Sequence, residues 1–299
     1  MRGDNYHNLF LGRKKIMKSE TLEQLKQFFL AYADQYIKGS HDPEPLILKK
    51  DHTLRVCTEI LALGKVLMLD ENDMMLAETM ALFHDLGRFK QYETYKTFLD
   101  HQSENHARLS LQEIDAHGIL APLAGEERSL IKKAIAFHNA ADIPRQGDDR
   151  FLFFMGLLRD ADKLDIWRVV IGNYTNPRPG SQRAINLGLV DDHGFSTDAI
   201  DAILAGTFVK SGSIKRLNDL KLMQISWVFD LNFPQSVLWV KERGYIEKIA
   251  ATLPDNPRVK KAITHVSQYL DTFSPLNGFS GNNVEIMQIH HGFHNRAGV

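Results

Sequence analysis

The stretch FHDLGR, residues 83–88, places a histidine and an aspartate side by side where an apolar, helix-forming segment meets a glycine. Consecutive side chains on a straight helix diverge by about 100°, so it is unusual for a pair such as His84 and Asp85 to bind one metal from the middle of a helix. At a helix end this restriction is relaxed, and Gly87 indicates such an end. The pair His84-Asp85 is therefore the first candidate for an active centre.

Apolar side chains recur at three- and four-residue intervals on both sides of this stretch, as they do along amphipathic helices. Asp73 stands where an N-cap is expected for the helix that leads to Phe83. Further helices are predicted at residues 22–32, 46–63, 103–116, 126–137, 150–170, 197–205, 217–229, 235–251 and 259–270. Because no convincing alternating strand pattern occurs, the predicted fold class is all-α, a helical bundle with additional C-terminal helices.

The segment TNPRPG, residues 175–180, contains two prolines and a glycine and cannot continue a helix. We therefore predict three segments, which are an N-terminal helix and lead-in (1–45), a metal-binding core (46–174) and a C-terminal helical extension (175–299). From about Ser274 onward the chain is rich in Gly, Asn and His and is expected to be loose. The tail histidines His290, His291 and His294 are therefore not counted as metal ligands.

Four other segments, each at a predicted helix or its end, carry a histidine or aspartate of the same kind. They are DHTLRV with His52, ENHARLS with His106, AFHNAAD with His138 and RDADKLD with Asp162. The intervals between the five segments are 32, 21, 32 and 24 residues, so one helix can run away and the next can return each time. All five segments can therefore meet at one point in a bundle, where helical proteins commonly build metal sites.

Imidazole nitrogen and carboxylate oxygen suit Fe, Mn, Ni, Co or Zn better than Ca or soft copper. Four histidines and two aspartates suffice for two adjacent ions if one carboxylate bridges them. Two such ions can activate a water molecule near neutral pH and hold both oxygens of an in-line phosphoryl displacement. The expected cofactor is therefore a pair of divalent transition-metal ions.

The order His52, His84-Asp85, Asp162 resembles the H…HD…D signature of the HD-domain superfamily of metal-dependent phosphohydrolases. FHDLGR is similar to the HD-[IL]-G-[KR] segment of that family, DHTLRV to its first helix and RDADKLD to its distal aspartate helix. The resemblance covers roughly residues 45–172 and implies an HD-domain helical bundle with metal ligands at these positions. His106 and His138 extend it to the binuclear subgroup, in which two more histidines precede the final aspartate.

Two departures from related groups narrow the expected chemistry. The branch that cleaves cyclic di-GMP carries a GYP segment and commonly a paired histidine at the fourth motif. This chain has His138-Asn139 there and no GYP in residues 140–144. A carboxylate for a third metal is also missing one turn before the first histidine, where Leu48 stands. We therefore expect two metal ions and a substrate other than cyclic di-GMP.

Each ligand assignment has an alternative. His101 competes with His106, which we prefer because Ala107 and Ser110 would let its helix approach closely; if His101 is the ligand, His106 would support it. Structural roles also remain open for His52 in the core, for His84 and Asp85 at a helix C-terminus, and for His138 at a helix end. Asp162 competes with its neighbours Asp160 and Asp165, which we expect to cap a helix or to form salt bridges.

Cationic side chains near the motifs are candidates to contact a phosphoryl group. Arginine forms bidentate contacts with phosphate, and lysine acts as a point charge. Arg88 and Lys163 are the first choices because they closely follow metal-ligand candidates, and Asp85 is expected to position the attacking water as well as to bind metal. The cations for which a surface salt bridge is expected instead are Arg55, Lys90, Arg108 and Arg159.

The expected function is metal-dependent hydrolysis of a small phosphomonoester or phosphodiester, with a nucleotide as one candidate substrate. Two alternatives stay open. A branch of HD-fold proteins uses a similar ligand set to hold two irons and activate dioxygen for C–C or C–P cleavage. The chain could also be a non-catalytic module that has kept the fold and senses a ligand.

The composition excludes several other classes of function. The 36 Lys+Arg and 37 Asp+Glu nearly cancel, so no global field recruits a nucleic-acid polymer. The single cysteine, Cys57, excludes an internal disulfide and a thiolate zinc site. No apolar run approaches the roughly 20 residues that a membrane helix needs. We therefore expect a cytoplasmic protein with a small phosphate compound as its partner and no membrane association, and leave a homo-oligomer open.

Overall fold

The computed structural model describes residues 17–141, 143–144, 148–177 and 182–273. Within these ranges the regular secondary structure is helical, and they contain no strand. The predicted all-α class is therefore confirmed. The tail histidines and the rest of the stretch from Ser274 lie outside the described residues.

The described chain divides into two compact units, which meet in sequence between Gly188 and Leu189. The first unit is built from helices α1 to α8. Their bounds are α1 Ser19–Gly39, α2 Glu44–Val66, α3 Glu71–Phe83, α4 Gly87–Tyr95, α5 His106–Ala116, α6 Gly125–Phe137, α7 Asp149–Thr175 and α8 Gln182–Ile185. A short 3₁₀ turn, Asp100–Gln102, lies between α4 and α5. The division of the chain into three segments at 1–45, 46–174 and 175–299 remains a prediction.

The core of the first unit forms where α2 packs against α7 and α3, while α6 packs on both α3 and α7. Fully buried side chains fill the interior of this unit, and the largest are Trp167, Phe29, Phe83, Phe89, Phe153 and Phe154. Burying one phenylalanine contributes about 1.5–3 kcal/mol. This core fixes the positions of the helix ends that carry the His and Asp motifs.

The helix α3 begins three residues earlier than the predicted start, so the prediction of Asp73 as its N-cap is wrong. Asp70 is the N-cap, and its side chain accepts a hydrogen bond from the backbone N–H of Asp73. Asp73 is buried and accepts a hydrogen bond from Arg150 over 2.7 Å. A buried carboxylate that pairs with an arginine on α7 ties the start of α3 to that helix.

Two features of the segment between α3 and the start of α5 differ from the prediction. Helix α4 was not predicted, because its sequence GRFKQYETY has few apolar side chains, yet Phe89 and Gln91 on it are fully buried. The helix predicted at 103–116 begins only at His106. Asn105 caps it, since its side chain accepts a hydrogen bond from the backbone N–H of Arg108.

The second unit contains helices α9 to α13, with bounds α9 Thr197–Leu204, α10 Leu217–Ser226, α11 Pro234–Glu242, α12 Tyr245–Ala250 and α13 Pro257–Asp271. Helix α9 packs against α13 and α10. The single helix predicted at 235–251 is wrong, since Gly244 adopts the left-handed conformation, with φ at +60°, and separates α11 from α12. A membrane-spanning helix would have to be longer and more apolar than any helix in the described part of the chain.

Candidate metal centre

The six predicted metal ligands come together in the first unit. Three groups of potential ligand atoms overlap there, and they are His52 with His84 and Asp85, His84 with His138 and Asp162, and Asp85 with His106 and His138. Five of the six residues are buried, and the Asp162 side chain is 15% exposed. Helices that are far apart in sequence thus place one dense cluster of imidazoles and carboxylates in the interior.

Helix ends supply most of these side chains, as the sequence predicts. His52 and Asp162 lie within α2 and α7, His106 is the first residue of α5, and His138 is the C-cap of α6. His84 and Asp85 occupy the turn between α3 and α4. Because the helix is interrupted at this turn, two consecutive side chains reach the same cluster.

Gly87 permits the close packing of this turn against α5. A Cβ atom on Gly87 would lie 2.4 Å from the backbone N of Ser110 and 2.6 Å from the carbonyl O of His106. The backbone N–H of Gly87 donates to Ser110 Oγ over 2.8 Å, and Ser110 Oγ donates to the carbonyl of His84 over 2.8 Å. The glycine and the serine together lock the His84-Asp85 turn to the start of α5.

All four imidazoles are held by their Nδ1 atoms. Those of His52 and His106 each donate to a carboxylate, from Asp165 and Asp100 respectively, over 2.7 Å. Those of His84 and His138 each donate to the backbone carbonyl three residues earlier, also over 2.7 Å. An imidazole that donates from Nδ1 presents a lone pair on Nε2 when it is neutral, so this orientation leaves Nε2 of each ring as the atom that can bind a cation.

The Asp85 carboxylate lies between two pairs of imidazoles. Its Oδ2 lies 3.7 Å from Nε2 of His84 and 3.8 Å from Nε2 of His52. Its Oδ1 lies 3.5 Å from Nε2 of His106 and 3.9 Å from Nε2 of His138. Each carboxylate oxygen therefore faces one histidine pair, which is the arrangement expected of a bridging ligand.

The donor atoms fit metal ions by their spacing and by their lack of other partners. The Nε2 atoms of His106 and His138 lie 3.1 Å apart, close to the about 3.0 Å that two nitrogens at right angles on one metal would have. Asp162 Oδ1 lies 3.0 Å from Nε2 of His52 and 3.6 Å from Nε2 of His84. These last three atoms are buried and have no hydrogen-bond partner within the described residues, as ligand atoms of a metal site would.

The comparisons with known proteins agree with this geometry. The HD domain family matches residues 50–167, a range that contains all six clustered residues. This stretch of the chain is an HD domain. The comparisons with curated proteins and with solved structures find no match. The HD domain and its His/Asp cluster are consistent with divalent-metal binding, as in the metal-dependent hydrolases in which this domain is mostly found.

Charges within the HD domain prepare the cluster for cations. Burial opposes ionisation of Asp85 and Asp162, but neighbouring cations and imidazoles outweigh it and hold the pKa of both carboxyls well below the usual range. Burial and the adjacent imidazoles lower the pKa of His138 to about 3, and burial with Arg88 lowers the pKa of His106. These two imidazoles are therefore neutral at pH 7 and can bind a metal ion.

The pKa of His52 is shifted in the opposite direction to those of His106 and His138. Burial favours its neutral form, but the carboxylates of Asp162 and Asp165, 3.0 Å and 2.7 Å from its two ring nitrogens, outweigh burial and raise the pKa of His52. Two carboxylates on opposite ring nitrogens thus increase the basicity of this imidazole. A more basic imidazole is also a stronger metal ligand.

The two predicted phosphate-binding cations lie in different settings. Arg88 reaches the cluster, with Nε 3.4 Å from Asp85 Oδ1 and Nη2 3.4 Å from His106 Nε2. Lys163 is buried and follows Asp162 on α7, so its side chain leaves the helix about 100° away from that of Asp162. A contact between Lys163 and a phosphoryl group stays a prediction.

Three of the four cations expected in salt bridges form them. Arg55 pairs with Asp165, Lys90 with Glu113, and Arg108 with Glu104. For Arg159 the expectation of a surface salt bridge is wrong. Its guanidinium is buried and donates to the carbonyls of Phe137, His138 and Ala140. It therefore holds the end of α6 and the position of His138.

The residues that compete as metal ligands in the sequence, His101 and the aspartates beside Asp162, lie in different environments. His106 is in the cluster, whereas His101 is exposed in the 3₁₀ turn Asp100–Gln102. Asp165 forms the expected salt bridge and also accepts the hydrogen bond from His52. Asp160 is fully buried.

Lys49 and Asp100 contact the cluster, and sequence reasoning missed both. Lys49 Nζ lies 2.7 Å from Asp85 Oδ2. Asp100 accepts hydrogen bonds from His106, from Arg88 and from Gln91. The signal for Lys49 was its position three residues before His52, which puts both on one helix face. Asp100 comes from an irregular loop and carried no periodic signal.

Proposed function

We propose that this HD-domain protein is a phosphohydrolase with a two-metal centre, acting on a small phosphate ester. The observation that carries the proposal is the position of Asp85 between two pairs of imidazoles, one pair at each carboxylate oxygen. Two ions bridged by one carboxylate lie close enough to act on the same phosphoryl group. A single metal ion would use only one of these histidine pairs.

Each ion would have its own set of ligands. The first site would consist of His52, His84, Asp162 and Asp85 through Oδ2, and the second of His106, His138 and Asp85 through Oδ1. We call these the first and the second metal site. Nitrogen and carboxylate oxygen favour Fe, Mn, Ni, Co or Zn. The second site has one carboxylate fewer and therefore more open positions for a substrate or water.

When bound, two divalent ions lower the pKa of a coordinated water and neutralise charge on a phosphoryl group. The residues of the chain prepare this chemistry. Asp85 fixes the spacing of the two sites and orients the attacking water. Arg88, with Nε 3.4 Å from Asp85 Oδ1, is positioned to contact the oxygens on which negative charge develops, and Lys163 is a second candidate for this role.

The proposed substrate is a small phosphate compound rather than a polymer. The charges of the chain nearly cancel, with a formal net charge of −1, so the cations at the centre would act locally and not as part of a basic groove. A nucleotide is one candidate, because its phosphate would reach the metal ions while its base stays outside. The cluster itself would select only the phosphoryl group.

The test is a screen of nucleotides, sugar phosphates and model phosphodiesters with Mn, Ni, Co, Mg, Zn and Fe supplied separately to the chelator-treated protein. We expect phosphate or alcohol release that depends on one or more of these metals. His84→Ala should abolish it, and His101→Ala should not, because His101 is exposed outside the cluster. Oxygen uptake with an organic substrate and no phosphate release would contradict the proposal and favour a di-iron oxygenase. If no compound is turned over and His84→Ala leaves the function of the protein in the cell unchanged, the results would favour a ligand-sensing module.

A further inference from the structure

A lysine binds the same carboxylate oxygen that the first metal site would use. Lys49 Nζ lies 2.7 Å from Asp85 Oδ2, the oxygen that also faces His84 and His52. The Lys49 side chain is 17% exposed and that of Asp85 is 4% exposed. This is a close ion pair in a largely buried setting, where charges interact more strongly than they do in water.

An ammonium and a metal ion cannot both bind that oxygen closely without repulsion. Metal–oxygen distances at such sites are about 2.0–2.2 Å, so an ion on Oδ2 and an ammonium 2.7 Å from it would be near neighbours. Both are positive, and the buried setting screens their repulsion poorly. A metal ion at the first site must therefore displace Lys49 from Asp85.

The surroundings of Lys49 offer the displaced ammonium a second contact beside the cluster. The ring of Phe98 lies beside two cations, with its centroid 5.5 Å from Lys49 Nζ and 5.7 Å from the guanidinium carbon of Arg88. An aromatic ring attracts a cation over such distances. Lys49 and Arg88 are therefore two positive side chains that both lie near Phe98, one at each oxygen of Asp85.

We propose that Lys49 competes with the metal ion for Asp85 and, once displaced, binds an anionic oxygen of the substrate. The competition follows from the ion pair alone. The contact with substrate rests on the proposed phosphohydrolase function, because it requires an anion at the metal centre. Lys49 would then keep the buried carboxylate neutralised before metal binding and would add a positive charge for the phosphoryl group afterwards.

The test compares Lys49→Met with Lys50→Met by calorimetric titration of the chelator-treated full chain with Mn²⁺. Lys50 is the neighbouring residue, and its partner is Asp34 at 2.5 Å, outside the cluster. Lys49→Met should bind the first Mn²⁺ about tenfold more tightly than wild type, within the usual range of coupling between two ligands. Lys50→Met should be unchanged. With saturating Mn²⁺, inorganic phosphate should bind Lys49→Met about tenfold more weakly.

Two further variants keep the test decisive if Lys49→Met folds poorly. Lys49→Gln keeps a hydrogen-bond donor without the charge and should also bind Mn²⁺ more tightly, whereas Lys49→Arg should stay near wild type. A purely structural role would weaken Mn²⁺ binding in the neutral variants, and unchanged or weaker binding would overturn the competition. Wild-type phosphate affinity in Lys49→Met and Lys49→Gln would overturn the substrate contact. Both measurements are independent of turnover, so an inactive protein would refute the proposed function without refuting the competition.

Discussion

Asp165 accepts a hydrogen bond from Nδ1 of His52 over 2.7 Å, and Arg55 contacts the same carboxylate over 2.6 Å. At the other side of the cluster, Asp100 accepts the corresponding hydrogen bond from His106. Each histidine pair thus contains one imidazole held by a carboxylate and one held by a backbone carbonyl. The two carboxylates differ in exposure, since the Asp165 side chain is fully buried and that of Asp100 is 30% exposed.

Replacing Asp165 by asparagine should weaken metal binding through His52. An amide cannot accept this hydrogen bond with the strength of a carboxylate, so the orientation and basicity of the imidazole both suffer. Loss of such a partner typically costs about 10- to 100-fold in metal affinity. Titration of Asp165→Asn with Mn²⁺ measures this change.

The control for Asp165→Asn is Asp201→Asn, which removes an exposed carboxylate that pairs with Arg258 in the second unit. We expect wild-type metal affinity for this variant. Equal metal affinity in wild type and Asp165→Asn would show that the backbone of α2, rather than Asp165, fixes His52. Asp100→Asn should act on the second metal site in the same way.

The sequence was sufficient to predict the parts of the centre that helices supply. His52, Asp162 and the helix ends at His84, His106 and His138 follow from helical periodicity and from intervals that bring chain segments back together. Their common position needs only a bundle, which the apolar pattern already requires. The family resemblance added the roles of these residues.

The parts that escaped prediction depend on tertiary contacts. Helix α4 has a polar sequence and is stabilised by the burial of Phe89 and Gln91, which no local pattern encodes. Asp100 contacts His106 from an irregular loop. Nothing in the sequence distinguishes Lys49 from the other charged residues of α2, because its contact with Asp85 forms only in the folded protein. Asp70 and Asp73 are equally good capping residues by type, and only the packing of Asp73 against Arg150 decides between them.

Gly87→Ala should destabilise the fold and the metal centre together. The added Cβ would lie within 2.6 Å of backbone atoms of His106 and Ser110, so α5 would have to move away from the His84-Asp85 turn. Forcing extra atoms into a packed interior typically costs about 1–3 kcal/mol. Chemical denaturation measures the loss, and Mn²⁺ titration measures the accompanying loss of metal affinity.

Gly172→Ala is the matched control for Gly87→Ala. Gly172 lies within α7, and a Cβ there would meet no atom within 4 Å. Since glycine within a helix is less favourable than alanine by about 0.5–1 kcal/mol, this variant should be as stable as wild type or more so. If the two alanine variants have similar free energies of unfolding, the close approach of α5 to Gly87 does not contribute to the stability of the fold.

The stability of the fold should depend on pH through Glu113. Burial raises the pKa of Glu113, but hydrogen bonds from Lys90 and Tyr32 outweigh it and hold the pKa below its ordinary value of 4.5. A depressed pKa means that the ionised group stabilises the fold above pH 4.5 and that this contribution disappears as the pH falls through the lower, folded value. The free-energy difference between wild type and Glu113→Gln should therefore be largest near neutral pH and shrink below pH 4.5.

Urea denaturation of both proteins between pH 7 and pH 3 measures this difference. Asp115→Asn is the control, because Asp115 pairs with Lys132 where both side chains are exposed, and exposed pairs contribute only about 0–1 kcal/mol. A constant difference between wild type and Glu113→Gln at all these pH values would show that the charge of Glu113 does not contribute.

Replacing His138 should remove one metal ion and leave the other. His138 Nε2 lies 3.1 Å from Nε2 of His106 and 3.9 Å from Asp85 Oδ1, so alanine at this position takes one of two imidazoles from the second metal site. His52 and Asp162 at the first site keep their contacts with each other, at 3.0 Å. We expect two Mn²⁺ per wild-type chain and one per His138→Ala chain when bound metal is counted at equilibrium.

His106→Ala should give the same stoichiometry as His138→Ala, because it removes the other imidazole of the same pair. His101→Ala should keep two ions, since His101 is exposed in the turn before α5 while His106 lies in the cluster. If His101→Ala loses an ion and His106→Ala does not, then His101 is the ligand and His106 supports it. Loss of both ions in His138→Ala would instead mean that the two sites fill only together, because the bridging carboxylate of Asp85 couples them.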